Sequence, residues 1–285
     1  MAEKLYDAPM RRSLTFLFVF LLLAAGVTVS AKTVQERRAE RMARRSLTAD
    51  AVSSVSSKPA TIYKPTSVPI LVYHHVRSTK GYAKSTWSWK MSVSPTVFEK
   101  QMQWIKDHGY TTVNLDAAAS ILQGEGSLAA KPVVITFDDN NENVYASGFP
   151  VLKKLGLTAT WYVITNRFDK PTFLTTAQVK ELAAAGMDIQ SHSVTHPWLT
   201  SLSVDKQRWE LDESRKAIEA LTGKPVHHLA YPLTMRNARV VQTVREEKYE
   251  TATIMDPRPA TAKDDLLLLP RIMMTDDTKL EKVLP

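Results

Sequence analysis

Apolar and polar positions along this chain fall into blocks, and from residue 69 onward the blocks change period with regularity. Residues 69–73 form a short apolar run of the kind buried strands use, and it stops at His74-His75. Ser94-Pro95 reads as a cap followed by proline at the first helical position, and Phe98, Met102 and Ile105 recur at helical spacing up to Gly109. The same reading predicts strands at 111–115, 133–137, 158–164, 187–190, 226–231 and 250–254. Between them it predicts helices over 117–122, up to Leu155 with Gly156 at its end, from a Thr176 cap to Gly186, over 202–221 and over 238–247. A last apolar run covers 266–269.

Strands and helices thus alternate seven or eight times without an internal repeat, a pattern that calls for a parallel sheet with helices outside it. An open doubly wound sheet and a closed barrel both satisfy it. No glycine-rich phosphate loop follows the first strand, which removes the main reason to prefer a nucleotide-binding open sheet. The expected fold is α/β, a distorted parallel (β/α) barrel of about seven strands spanning 68–285.

Upstream the pattern is different. Arg11 and Arg12 precede an uncharged apolar stretch, 14–29, that closes on Val29-Ser30-Ala31. Residues 1–31 are therefore expected to be a signal peptide or an N-terminal membrane anchor, the stretch being slightly short of the about 20 residues of a comfortable span. Residues 32–67 are basic, then rich in Ser, and carry Pro59 and Pro65, which reads as a linker. The expected location is outside the cytoplasm, either extracellular, periplasmic or membrane-anchored, with membrane contact only through the N-terminal segment.

Charge changes little in this picture once it is located. The net charge is +8, but residues 1–12 and 32–66 hold eleven Lys/Arg against five Asp/Glu, leaving +2 for the rest of the chain. A basic tail does not make a nucleic-acid-binding domain, and that partner is excluded. With no cysteine, any tight metal site must be built from His, Asp and Glu.

Candidate chemistry sits where strands end. His74-His75, Asp138-Asp139, the segment 191–197 (SHSVTHP) and Ala230-Tyr231-Pro232-Leu233 each follow a predicted strand, and in a parallel barrel such loops converge on one mouth. His192 and His196 are four apart and can share an ion if the segment curls through a turn. Ser193 stands where a zincin helix needs Glu, which excludes that class. Two imidazoles with an Asp from a neighbouring strand end would give three N/O ligands with open positions, as a catalytic divalent ion requires. Successive strand residues point opposite ways, so Asp138 and Asp139 need not do the same job.

Thr136-Phe137-Asp138-Asp139 followed by 191–197 resembles the first two motifs of the polysaccharide deacetylases (carbohydrate esterase family 4, the NodB homology domain), of the exported bacterial type. The likeness runs from about Val68 to Arg271 and includes Gly186-Met187-Asp188-Ile189 and Leu269-Pro270-Arg271-Ile272. It implies a hydrolase that removes N-acetyl groups from an N-acetylglucosamine polymer of the cell wall or surface. It implies Asp138 as general base and Asp139, His192 and His196 as ligands of one divalent ion, with zinc expected and cobalt, nickel or iron as alternatives. Water activated by that ion would attack the acetamide, and the backbone N–H of Leu233 would face the oxyanion.

Three departures stand out. Asn140 replaces the usual glycine, Leu233-Thr234 replaces Tyr-Gly, and no His follows His228. His74 is the substitute general acid, with structural packing as its other reading. Trp198 is the candidate sugar platform, whereas Trp161, Tyr162 and Trp209 are expected in the core. The alternatives carried forward are a catalytically impaired glycan-binding homologue and a deacetylase of another acetylated polymer such as xylan.

Overall fold

The computed structural model describes residues 65–125 and 131–285; the expected export segment and nearly all of the linker lie outside them. Seven parallel strands form a closed ring: β1 Ile70–Tyr73, β2 Lys131–Phe137, β3 Thr160–Val163, β4 Asp188–Ser191, β5 His228–Ala230, β6 Thr251–Met255 and β7 Leu269–Met273. Each pairs with the next in sequence, and β7 returns to β1 through Ile272↔Leu71 and Met273↔Val72. The short strand Tyr110–Thr112 pairs only with the beginning of β2 and stays outside the ring.

Strand alternation divides the apolar residues into two cores. On β2, Val133, Ile135 and Phe137 face out and pack with Phe98, Met102 and Ile105 of helix α1 (Pro95–Asp107) in the large core between sheet and helices. Val134 faces in, where it meets Ile70, Leu269 and the buried Leu115, Ala118, Ile121 and Leu122 of α2 (Leu115–Leu122). That second core is a floor closing the amino-terminal end of the barrel. Full burial of each such aliphatic side chain contributes about 1.5–3 kcal/mol.

Three sequence expectations are corrected. The strand expected at 111–115 ends at Thr112, because the Asn114 side chain accepts the Ala117 N–H and starts α2. The helix expected to run to Leu155 is two, α3 (Glu142–Ser147) and α4 (Phe149–Leu155), which meet at Gly148. Helix α5 (Thr176–Ala184) is capped by Thr175, whose side chain accepts the Gln178 N–H while Gln178 answers the Thr175 N–H. The apolar run at 266–269 is mostly a helical turn, and the last strand is the five residues from Leu269 that carry Arg271. Helices α6 (Val204–Thr222) and α7 (Ala238–Glu246) lie where expected.

The barrel floor carries a titratable contact. Buried His228 on β5 places Nε2 3.4 Å from Asp116 Oδ1 on α2, and its Nδ1 lies 3.0 Å from Thr251 Oγ1. Burial pulls its pKa down, but Asp116, with Asp188 and Glu250 beyond it, raises it above the ordinary value. A raised folded pKa means that the contact stabilises fully below the unfolded His pKa and fades as pH rises through the folded value. Asp116→Asn should therefore lower Tm by about 2–4 °C, a contribution near 1 kcal/mol for a half-exposed pair. The loss should be largest below the unfolded His pKa of about 6.5 and shrink as pH rises through the higher folded value, when followed by thermal unfolding.

Candidate active site

The site is built upward from β2. Asp138 shares the inward face of Val134 and Thr136, and its N–H donates to Tyr73 O at 3.0 Å, which carries the β1–β2 ladder one residue past the strand. Its carboxylate accepts Arg271 Nη1 on Oδ1 and Nη2 on Oδ2, both at 2.7 Å. Arg271 comes from the inward face of β7, is fully buried, and also donates from Nη1 to Thr136 Oγ1 at 3.2 Å. Burial alone would raise the Asp138 pKa; the Arg271 charge and hydrogen bonds, with His192 beside it, hold it well below the usual carboxylate range.

Asp139 would point outward if the strand continued. Instead Asp139 (φ 72°) and Asn140 (φ 46°) both adopt left-handed backbone, turning the chain sharply at the barrel mouth. Asn140 thus occupies a conformation natural to the glycine usual there, and its side chain adds a tie. Its Oδ1 accepts the Ile164 N–H at 3.0 Å, and its carbonyl accepts the Leu174 N–H at 2.9 Å. The turn brings Asp139 Oδ1 to 3.8 Å from His192 Nε2 and 3.6 Å from His196 Nε2.

The two histidines are oriented by what surrounds them. His192 Nδ1 lies 2.8 Å from the Ala230 carbonyl, so that nitrogen carries the proton and Nε2 keeps its lone pair toward Asp139. Ser193 (φ 66°) and His196 (φ 60°) make the turn that curls the segment, and Ser193 Oγ accepts the His196 N–H at 3.0 Å. Burial pushes both imidazoles down to about 4, against the pull of nearby carboxylates, so both are neutral near pH 7. One donor atom from each of Asp139, His192 and His196 lies within 4.8 Å of the others. A carboxylate oxygen and two neutral imidazole nitrogens at a barrel mouth fit a catalytic divalent ion with open coordination positions.

The other expected residues divide. His74, buried at the end of β1, places Nε2 3.8 Å from Asp138 Oδ2, and Asn141 Nδ2 holds its carbonyl at 3.0 Å. Leu233 sits in a left-handed turn (φ 54°) after β5, 47% exposed, while Thr234 Oγ1 takes the Met255 N–H and secures that turn to the next strand. Trp198 is 59% exposed on the loop after β4. Trp161 and Tyr162 are buried as expected, but Trp209 is 51% exposed and the core assignment for it is wrong. Helical spacing gave the right element there and the wrong face.

Sequence reasoning missed three contributors. Arg271 was legible only as part of a motif, although a lone Arg in a buried apolar strand itself signals a buried anionic partner. Arg167, after β3, sets Nη1 4.0 Å from Asp139 Oδ1. Glu210, buried on α6, accepts the Val194 N–H at 2.9 Å and the Thr195 N–H at 2.8 Å on Oε2, and the Thr195 hydroxyl on Oε1. It therefore sets the shape of the loop between the two histidines. Glu210→Ala should destabilise the fold by about 1–3 kcal/mol, since partly buried donors lose a charged acceptor. It should also weaken divalent-ion affinity about 10–100-fold, measured by titration calorimetry on folded protein.

With this geometry in view, comparison with known proteins is direct. Residues 125–252 match the family model described as polysaccharide deacetylase. The structure of the deacetylase PplD of Streptococcus pyogenes, in complex with acetate, superimposes with a TM-score of 0.73 at 29% identity, covering 78% of this chain and 99% of that one. A polysaccharide deacetylase from Bacillus cereus matches with a TM-score of 0.67 at 31% identity, over 76% of this chain and 67% of that one. Among curated sequences, the poly-β-1,6-N-acetyl-D-glucosamine N-deacetylase of Staphylococcus aureus is 24% identical over 238 residues, 75% of this chain and 81% of that protein. A seven-stranded parallel barrel, an Asp-His-His cluster at its mouth and an inward carboxylate beside it all sit on the matching motifs, and the chain belongs to the polysaccharide deacetylase family, as an enzyme of that family.

Proposed function

We propose that this chain removes N-acetyl groups from an N-acetylglucosamine-containing polysaccharide outside the cytoplasm. The observation that carries the reading is the placement of Asp138, clamped but outside the triad, beside Asp139, His192 and His196, because acetamide hydrolysis needs both a proton acceptor and an electrophilic centre. Asp139, His192 and His196 would hold a divalent ion, zinc by preference, which when bound would supply Lewis acidity and lower the pKa of water.

The chain's own residues do the rest. Asp138, kept ionised and oriented by Arg271, takes a proton from the attacking water. His74, held neutral by burial, which pushes its pKa down to about 4, places Nε2 3.8 Å from the same carboxylate, where it relays the proton Asp138 has taken from water to the departing amine, filling the role left open by the missing late histidine. The Leu233 N–H donates to no protein acceptor among the described residues, which leaves it for the oxyanion of the tetrahedral intermediate. Acetate and a free amine leave. The likeness to the S. aureus enzyme favours an N-acetylglucosamine polymer over acetylated xylan, and the apolar segment 14–29 supports export.

The test is acetate release from poly-N-acetylglucosamine, peptidoglycan and acetylated xylan, with and without a chelator. We expect release from an N-acetylglucosamine polymer, its loss on chelation and its return with added zinc. Release from xylan alone would replace the substrate; chelator-resistant release would end the role given to the triad.

A further inference from the structure

The chain between β1 and α1 makes an excursion that the proposed chemistry does not use. It leaves the ring after Tyr73 and returns alongside itself, His75–Val76 pairing in parallel with Ser92–Val93. Residues 77–91 form its tip. The tip is fastened to the segment that follows β7: Thr79 Oγ1 and the Ser94 N–H both donate to Asp276, the latter at 2.6 Å, and Lys84 Nζ pairs with Asp277. Both anchoring segments leave carboxyl ends of strands, so the tip stands on the rim of the mouth, on the β7–β1 side.

Three aromatic rings ride on this tip. Arg77 lies over the Tyr82 ring, 5.4 Å to its centroid, and Lys84 over the Trp89 ring, also 5.4 Å. Trp87 has no such cover among the described residues and is 70% exposed. In a ring of seven strands connected in order, the loops after β4 and β5 lie across the mouth from β1, and those carry Trp198 and Leu233. The mouth therefore has an exposed apolar bank on each side, with Asp138 and the triad between them.

We infer that Trp87 is a distal sugar-binding residue, receiving a hexosamine unit of the polymer several units away from the acetamide being hydrolysed. The apolar face of a pyranose ring stacks on an indole, and an indole left bare on a fastened loop requires little ordering on binding. The charge of the tip selects among units. Residues 77–91 contain Arg77, Lys80, Lys84 and Lys90 and no Asp or Glu; set against Asp276 and Asp277, which fasten the tip, they leave two positive charges in excess. A neutral N-acetylated unit is accepted there, whereas the ammonium of a deacetylated unit meets like charge. The polymer then spans the mouth from the Trp198 bank to the Trp87 bank, and stretches already deacetylated bind less well than fresh ones. This inference rests on the proposed substrate class.

The test is calorimetric titration of the full chain with β-1,6-linked N-acetylglucosamine oligomers of two and six units and with the fully deacetylated hexamer. We expect the acetylated hexamer to bind more tightly than both the dimer and the deacetylated hexamer. Trp87→Ala should weaken hexamer binding about 5- to 10-fold and leave dimer binding unchanged, with Trp87→Phe retaining most of the affinity. Equal hexamer affinity for wild type and Trp87→Ala overturns the subsite while leaving the proposed function standing. Failure of the wild type to bind any acetylated oligomer overturns the substrate assignment and the subsite with it. If Trp87→Ala loses binding only to phosphatidylglycerol vesicles, the tip is a membrane contact and the inference is wrong.

Discussion

Asp138→Asn should lower kcat/KM for acetate release by about 10²–10⁴-fold, the range lost when a positioned general base is removed. The substitution preserves shape and removes the proton acceptor while leaving Asp139, His192 and His196 untouched. Bound divalent ion, measured by elemental analysis, should remain near one per chain. That separates Asp138 from a ligand role: a variant that lost ion and activity together would place Asp138 in the coordination sphere. Asn cannot reproduce the clamp, because an amide turned to give Oδ1 to one Arg271 nitrogen presents its own N–H groups to the other. The variant should therefore also melt at lower temperature, and its kinetics belong well below that melting point.

The barrel was legible because its strands are local statements. The run ending in Phe137 is β-branched and apolar and stops at two carboxylates; such units repeated in order call for a parallel sheet, and the missing phosphate loop tips the reading to the closed ring observed. Asp139, His192 and His196 were legible as strand-end chemistry, and Asn140 was legible as a residue able to take the backbone that glycine usually takes. What stayed hidden depends on partners far along the chain. Arg271 and Asp138 are 133 residues apart, and nothing near either residue announces the other. Glu210 looks like any acidic helix residue until the loop after β4 lies against it. Leu266 to Met273 shows a different limit. Period alone does not separate a helical turn from the start of a strand in so short an apolar run, so 266–269 was read only as apolar and the strand carrying Arg271 was not assigned.

Arg271→Met should be the most destabilising single change at the site, costing about 3–5 kcal/mol in chemical denaturation. Methionine matches the length of the stem and fills the inward face of β7, but it leaves the Asp138 carboxylate buried with no countercharge. The sign of the pH dependence follows from the depressed Asp138 pKa. The pair's contribution is complete above the unfolded carboxylate pKa and is lost as pH falls toward the lower folded value. The difference between wild type and Arg271→Met should thus be flat from about pH 5 to 8 and narrow only in stronger acid. The double variant Asp138→Asn, Arg271→Met removes both charges and should recover part of the lost stability, giving a coupling of roughly 1–3 kcal/mol in the double-mutant cycle. Its activity should stay at the level of Asp138→Asn. Stability that returns without activity would show that the clamp exists to keep a base ionised and aimed at the mouth, and additive stabilities would show that the two residues do not act as a pair.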